Sequence, residues 1–267
     1  MSPVNDMETT PPITESQTAE PQASATPLTA KLFNVVAAPG EVFAELRAAP
    51  ARAVNWLVPV LVFAIVGAIS ACIMFAQPAI RQGIRDQQAK VLDQQVQQGK
   101  MTQAQEDQAL QMMDKFMGPT MLAVFGSAGA VLNSFISVFW WALVLWLLAR
   151  WVLKARFGYM KAVEIAGLAS VIVVLGAVIS TLLVIILGRL YVGPSLALLV
   201  NDFDTRNRVH LLLGAANLVY FWHTAVLGVG LSKLSGASTA KSLMVVFIYW
   251  VAAELLLVAV GLGSLVL

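Results

Sequence analysis

Residues 121–149, MLAVFGSAGAVLNSFISVFWWALVLWLLA, are almost unbroken hydrocarbon, and so are residues 162–188, AVEIAGLASVIVVLGAVISTLLVIILG. Each run exceeds the roughly 20 apolar residues needed to cross a hydrocarbon core about 30 Å thick. A helix in a soluble core would carry a polar stripe at helical period, and neither run has one. The turn between them holds Arg150, Lys154, Arg156 and Lys161 and no acid. Cationic short loops resist translocation, so this turn is expected on the cytoplasmic side.

Composition agrees with that reading. Of 267 residues, 58% are hydrophobic and 12% charged, against about 25% charged in a soluble domain. The net charge of +2 is too small to favour nucleic acid or an acidic partner. Cys72 is the only cysteine, so neither an internal disulfide nor a cysteine zinc site is available. Residues 1–28 lack the basic and apolar regions of a signal peptide. Their Pro, Thr, Ser, Gln and Glu content reads as a disordered tail.

Working outward, the expected fold is all-α: a polytopic membrane protein with five transmembrane helices. The spans read as about 54–76, 120–150, 162–188, 210–231 and 242–265, within a membrane domain of residues 54–266. Residues 29–53 form an amphipathic cytoplasmic segment, broken at Pro39-Gly40, which either lies on the membrane surface or docks under the bundle. The polar insert 77–118 carries five basic and five acidic residues and reads as an external helical hairpin between spans 1 and 2. Gly99 interrupts it, and Thr102 to Gln105 has the form of a capping box opening its second helix. Ala109, Met112, Met113 and Phe116 then follow the spacing of a buried face, so the hairpin is expected to cap the bundle. Small residues 126–130 give span 2 a close-packing face, and Trp140, Trp141, Trp146 and Trp151 form an aromatic belt. Five spans, with short acid-poor inside turns, put the N-terminus in the cytoplasm and the C-terminus outside.

Polar side chains inside spans are the candidate functional residues. They are Asn133, Glu164, Asn217, His223 and Glu254. Glu164, at the cytoplasmic start of span 3, reads as an interface group paired with Lys161 or Arg156. His223 and Glu254 lie at depths differing by only about 6 Å, so a contact between them is feasible. Such a pair fixes helix register in one reading and forms a proton relay or substrate site in the other. Asn133 and Asn217 read as interhelical hydrogen-bonding groups. Gly-rich phosphate loops, H-E-x-x-H and G-x-S-x-G are absent, so no enzyme, cofactor or metal is expected. His210 and His223 stand too far apart on one helix to share a metal.

Residues 158–162 (GYMKA) with Ala169-Ser170, residues 217–222 (NLVYFW) with residues 228–231 (GVGL), the Ser235-Gly236 turn, Lys241 and Trp250 form a recognisable set. With residues 39–43 (PGEVF) in the amphipathic segment, they resemble the bacterial branch of the Yip family, the Ypt/Rab-interacting membrane proteins, over residues 31–265. The resemblance implies five spans, a bacterial cytoplasmic membrane location and association with itself or other membrane proteins. Eukaryotic members act in vesicle trafficking and bind small GTPases. This chain lacks their Asp-Leu-Tyr-Gly-Pro motif, so small-GTPase binding is not carried over. Three functions follow in order: a membrane-organising scaffold, a small permease or ion-coupled carrier using Glu254 and His223, and a subunit of a larger membrane complex docking through the hairpin.

Overall fold

The computed structural model describes residues 26–263 apart from residue 117. The tail reading for residues 1–25 and the end of span 5 beyond residue 263 lie outside it. Ten α-helices follow in order: α1 Leu28–Ala37, α2 Pro39–Ala48, α3 Val54–Ala76, α4 Pro78–Gln97, α5 Gln103–Phe116, α6 Pro119–Trp151, α7 Tyr159–Leu187, α8 Arg208–Ala215, α9 Leu218–Ser235 and α10 Thr239–Ala259. Four of them, α3, α6, α7 and α10, are long and apolar enough to cross a membrane.

The continuous span expected over residues 210–231 is not continuous. The chain breaks at Ala216–Asn217, leaving α8 and an 18-residue α9. The cause is local. The Asn217 side chain accepts a hydrogen bond from Val219 N at 2.9 Å, capping α9 instead of extending α8. The interrupted backbone is satisfied by the loop after α7, through Leu196 N to Ala216 O at 3.2 Å and Leu218 N to Pro194 O at 2.9 Å. Irregular backbone at such depth is stable only when another segment of protein covers it.

Helices α3, α6 and α7 pack against one another, α9 packs on α7 and α10 on α9, while α6 touches α9 and α10 only lightly. With little hydrophobic driving force between helices in lipid, close backbone approach and polar contacts hold them. At Gly167 of α7 an added Cβ would lie 2.5 Å from the Trp56 Cα of α3. At Gly230 of α9 it would lie 2.6 Å from the Ile165 side chain of α7. The small face of α6 is used similarly, and Ser127 Oγ donates to Ala68 O of α3 at 3.1 Å.

Helices α1 and α2 form a collar packed against the ends of α7 and α9. Val35, Val42, Phe43 and Leu46 are buried in the same core as Leu168, Leu227 and Leu231. Lys31 Nζ pairs with Glu45 at 2.9 Å, joining the two collar helices. At the other end of the bundle Ile80 anchors α4 against Val184 and Val192. The capping box of α5 closes, with Gln105 Oε1 accepting from Thr102 N at 2.9 Å. Its expected buried face does not pack on the bundle, and Met112 is 62% exposed. One lightly anchored helix pair has too little apolar surface to fold back.

Two outcomes test this packing. Gly167→Val overpacks the α3–α7 contact and lowers stability by at least about 1–3 kcal/mol, read from thermal melting of the detergent-solubilised protein. Burial tends to raise the Glu45 carboxyl, but hydrogen bonds from Lys31 and Thr26 and the Lys31 charge outweigh it, holding it below the ordinary 4.5. Its contribution to collar docking is complete above that value and is lost as pH falls through the lowered one. Backbone hydrogen exchange of α1 and α2, corrected for the intrinsic pH dependence of exchange, therefore quickens below about pH 4.5.

Candidate functional site

Two polar constellations occupy the bundle. The first lies at its collar end and is built around Glu164, whose side chain is fully buried. Glu164 Oε1 accepts from Arg52 N at 2.9 Å and from Asn55 Nδ2 at 2.7 Å. Its Oε2 faces Lys161 Nζ at 2.9 Å. The same ammonium donates to Leu46 O, the terminal region of α2, at 2.6 Å. Helix α3 has no side-chain N-cap of its own, because Ala53 stands at that position. A carboxylate from α7 instead holds the segment entering α3, through Arg52 N and the first-turn Asn55 side chain, and a lysine one turn earlier on α7 takes a carbonyl in the last turn of α2. One ion pair on one helix thus holds an end of each of two others.

The second constellation is a cavity of about 370 Å³ bounded by α6, α7, α9 and α10. His223 and Glu254 lie about 18 and 22 Å along α9 and α10 from the collar end, at 1.5 Å per residue, so the cavity sits near mid-bundle. Asn133 and Ser137 line it from α6, Ser170 from α7, and Tyr220 and Thr224 from α9. Trp141 turns inward, edge-on to His223 at 5.7 Å and to Tyr249 at 5.8 Å. It therefore does not belong to the expected aromatic belt, whereas Trp151 is 64% exposed. Trp146 stacks with the Arg150 guanidinium at 5.2 Å.

The five polar residues singled out from sequence divide between these places. Asn133, His223 and Glu254 share the cavity, Glu164 holds the collar end, and Asn217 is spent on capping α9. Among the described residues no hydrogen bond joins His223 to Glu254; they face a common space. Sequence reasoning passed over Asn55, which reads as an ordinary first-turn residue of an apolar span. It also passed over Tyr220, Thr224 and Tyr249, although Tyr220–Thr224 and Trp250–Glu254 each fall at the i, i+4 spacing of one helix face. Among the described residues no group of three or more His, Cys, Asp or Glu could hold a metal ion.

A larger cavity, about 730 Å³, lies at the opposite end between α4 and the loop after α7. Many of its polar groups already bond within the protein. Gln87 donates to Phe203 O, Arg206 pairs with Asp204 and with Gln94, and Arg189 reaches Val200 O.

Removing Lys161 alone strands a fully buried carboxylate. Lys161→Met is expected to cost about 3–5 kcal/mol, and adding Glu164→Gln restores part of that loss. A double-mutant cycle read by thermal melting checks both statements.

A family model described as the Yip1 domain matches residues 33–262. Neither a curated protein nor a solved structure matches the chain. The matched segment runs from α1 to the end of α10 and takes in both constellations. The chain is a multi-pass transmembrane protein and belongs to the Yip1 domain family.

Proposed function

We propose that the chain is a non-enzymatic membrane-organising module of five spans, with α8 and α9 together making the fourth. In this reading the collar faces the cytoplasm of a bacterial cell, and the α4–α5 hairpin and the C-terminal side face outward. The cations at the collar end support that orientation: Arg150, Lys154, Arg156 and Lys161 in one turn, Lys233 and Lys241 around the next. The observation that carries the scaffold role is the collar itself. It is welded to the spans by buried contacts on one side and presents Phe33, 79% exposed, on the other. A rigid platform at the membrane surface with an exposed aromatic suits association with lipid, with a second copy or with another membrane protein.

The cavity supports a second reading, a small permease or ion-coupled carrier using Glu254 and His223. Polar groups gathered at mid-depth around an open space are what a pathway requires.

Single cysteines at Gln97 and Ala240 in a Cys72→Ser background, labelled with an impermeant thiol reagent, are expected to react from opposite sides of the membrane. In proteoliposomes the organising role predicts no solute or proton flux above empty vesicles, while a cysteine at Phe33 cross-links in native membranes. Flux that disappears in Glu254→Gln would overturn the organising role in favour of the carrier.

A further inference from the structure

The mid-bundle cavity has a chemistry more specific than polarity. Among the described residues lining it there is one carboxylate, Glu254, and no lysine or arginine. Three aromatic walls, Trp141, Tyr249 and Trp250, stand around the space beside that carboxylate. They are braced before any ligand arrives. Trp141 meets Tyr249 edge-on at 5.8 Å, and Trp250 is fixed by Phe221 at 4.9 Å and Phe247 at 6.2 Å. Polar atoms on the floor are held without partners. Thr224 is 1% exposed and its Oγ1 has no hydrogen bond, and the half-buried Glu254, bonded to the Trp250 side chain, keeps Oε2 buried and unpaired. His223, 6% exposed, makes a ring contact with Trp141 and no hydrogen bond among the described residues. Unsatisfied buried polar groups are costly, so their collection in one cavity points to a ligand.

The lining discriminates between ligand classes. An anion has no cation to meet. A divalent metal needs several oxygen ligands, and one carboxylate among indole and phenol rings does not supply them. An ammonium group fits both features at once, because aromatic faces attract cations and the carboxylate neutralises the charge. The volume of about 370 Å³ falls at the small end of ligand pockets. Access is from the side, where α6 and α10 barely touch and Trp140 on the rim is 56% exposed.

We propose that this cavity binds an organic ammonium group, seated among Trp141, Tyr249 and Trp250 against the Glu254 carboxylate. Such binding requires neither of the functions proposed above, since a bound amine can serve a structural or a transported role. The group arrives either as a free amine or as the headgroup of a lipid entering between α6 and α10.

The test uses the full chain in phosphatidylglycerol nanodiscs and equilibrium binding of radiolabelled choline. Saturable binding is expected, with its uncharged isostere 3,3-dimethylbutanol competing at least about tenfold more weakly than unlabelled choline. Glu254→Gln weakens choline binding by about tenfold or more, and Tyr249→Leu weakens it independently; Met244→Ala, on the lipid-facing side of α10, leaves it unchanged. Gel filtration and helical circular dichroism establish which variants are folded, and Tyr249→Leu decides if Glu254→Gln is not. Discs containing phosphatidylcholine separate the two sources: lost choline binding marks a lipid headgroup as the occupant, and retained binding marks a free amine. No saturable binding in phosphatidylglycerol discs, equal competition by the isostere, or unchanged binding in every folded cavity variant overturns the proposal.

Discussion

The bundle depends on a single buried charge. Glu164 lies where α7 passes the start of α3, and burying a carboxylate there is tolerated only because every neighbour answers it. The backbone of Arg52, the amide of Asn55 and the ammonium of Lys161 converge on it, and Lys161 extends the chain of contacts to α2. Collar, first span and central span are therefore not three independent helices that happen to touch. They share one electrostatic junction, which fixes the end of α2 and the entry to α3 against α7. Gly167, one turn beyond Glu164, lets the α3 backbone come close enough for the junction to form.

Farther along the same helix, the demands differ. At the collar end the Glu164 carboxylate is met by Arg52, Asn55 and Lys161, although Trp56 Nε1 and Ser242 Oγ are buried there without partners; at mid-bundle Thr224 Oγ1 and Glu254 Oε2 are unpaired beside a cavity. A protein that needed only a stable core would fill that space with apolar side chains. What sets the mid-bundle apart is the open volume of about 370 Å³ beside its unpaired groups.

The long spans were legible in sequence because composition alone decides them: residues 121–149 and 162–188 cannot be anything but apolar helices. The gathering of Asn133, His223 and Glu254 was partly legible, since equal depth on adjacent helices is a matter of counting residues. Facing direction was not. Whether Trp141 turns inward or joins a lipid-facing belt depends on helix rotation, which an apolar run on all sides leaves unspecified. Asn217 shows the same limit differently. An asparagine within an apolar stretch bonds either to a neighbouring helix or to its own backbone, and only the loop carrying Pro194 and Leu196 selects the second. For the hairpin, spacing marks Met112 as part of an apolar face, but its 62% exposure depends on what lies opposite, which spacing does not encode.

Helix length has a consequence for how the bundle sits in lipid. Helix α6 has 33 residues, about 50 Å of length, while α9 has 18, about 27 Å. The two face each other across the mid-bundle cavity, where Trp141 of α6 meets His223 of α9, and α8 supplies part of the missing length before α9. At 33 residues α6 exceeds the hydrocarbon thickness, so it tilts or extends beyond the core, whereas α3 and α10, with 23 and 21 residues, match it closely.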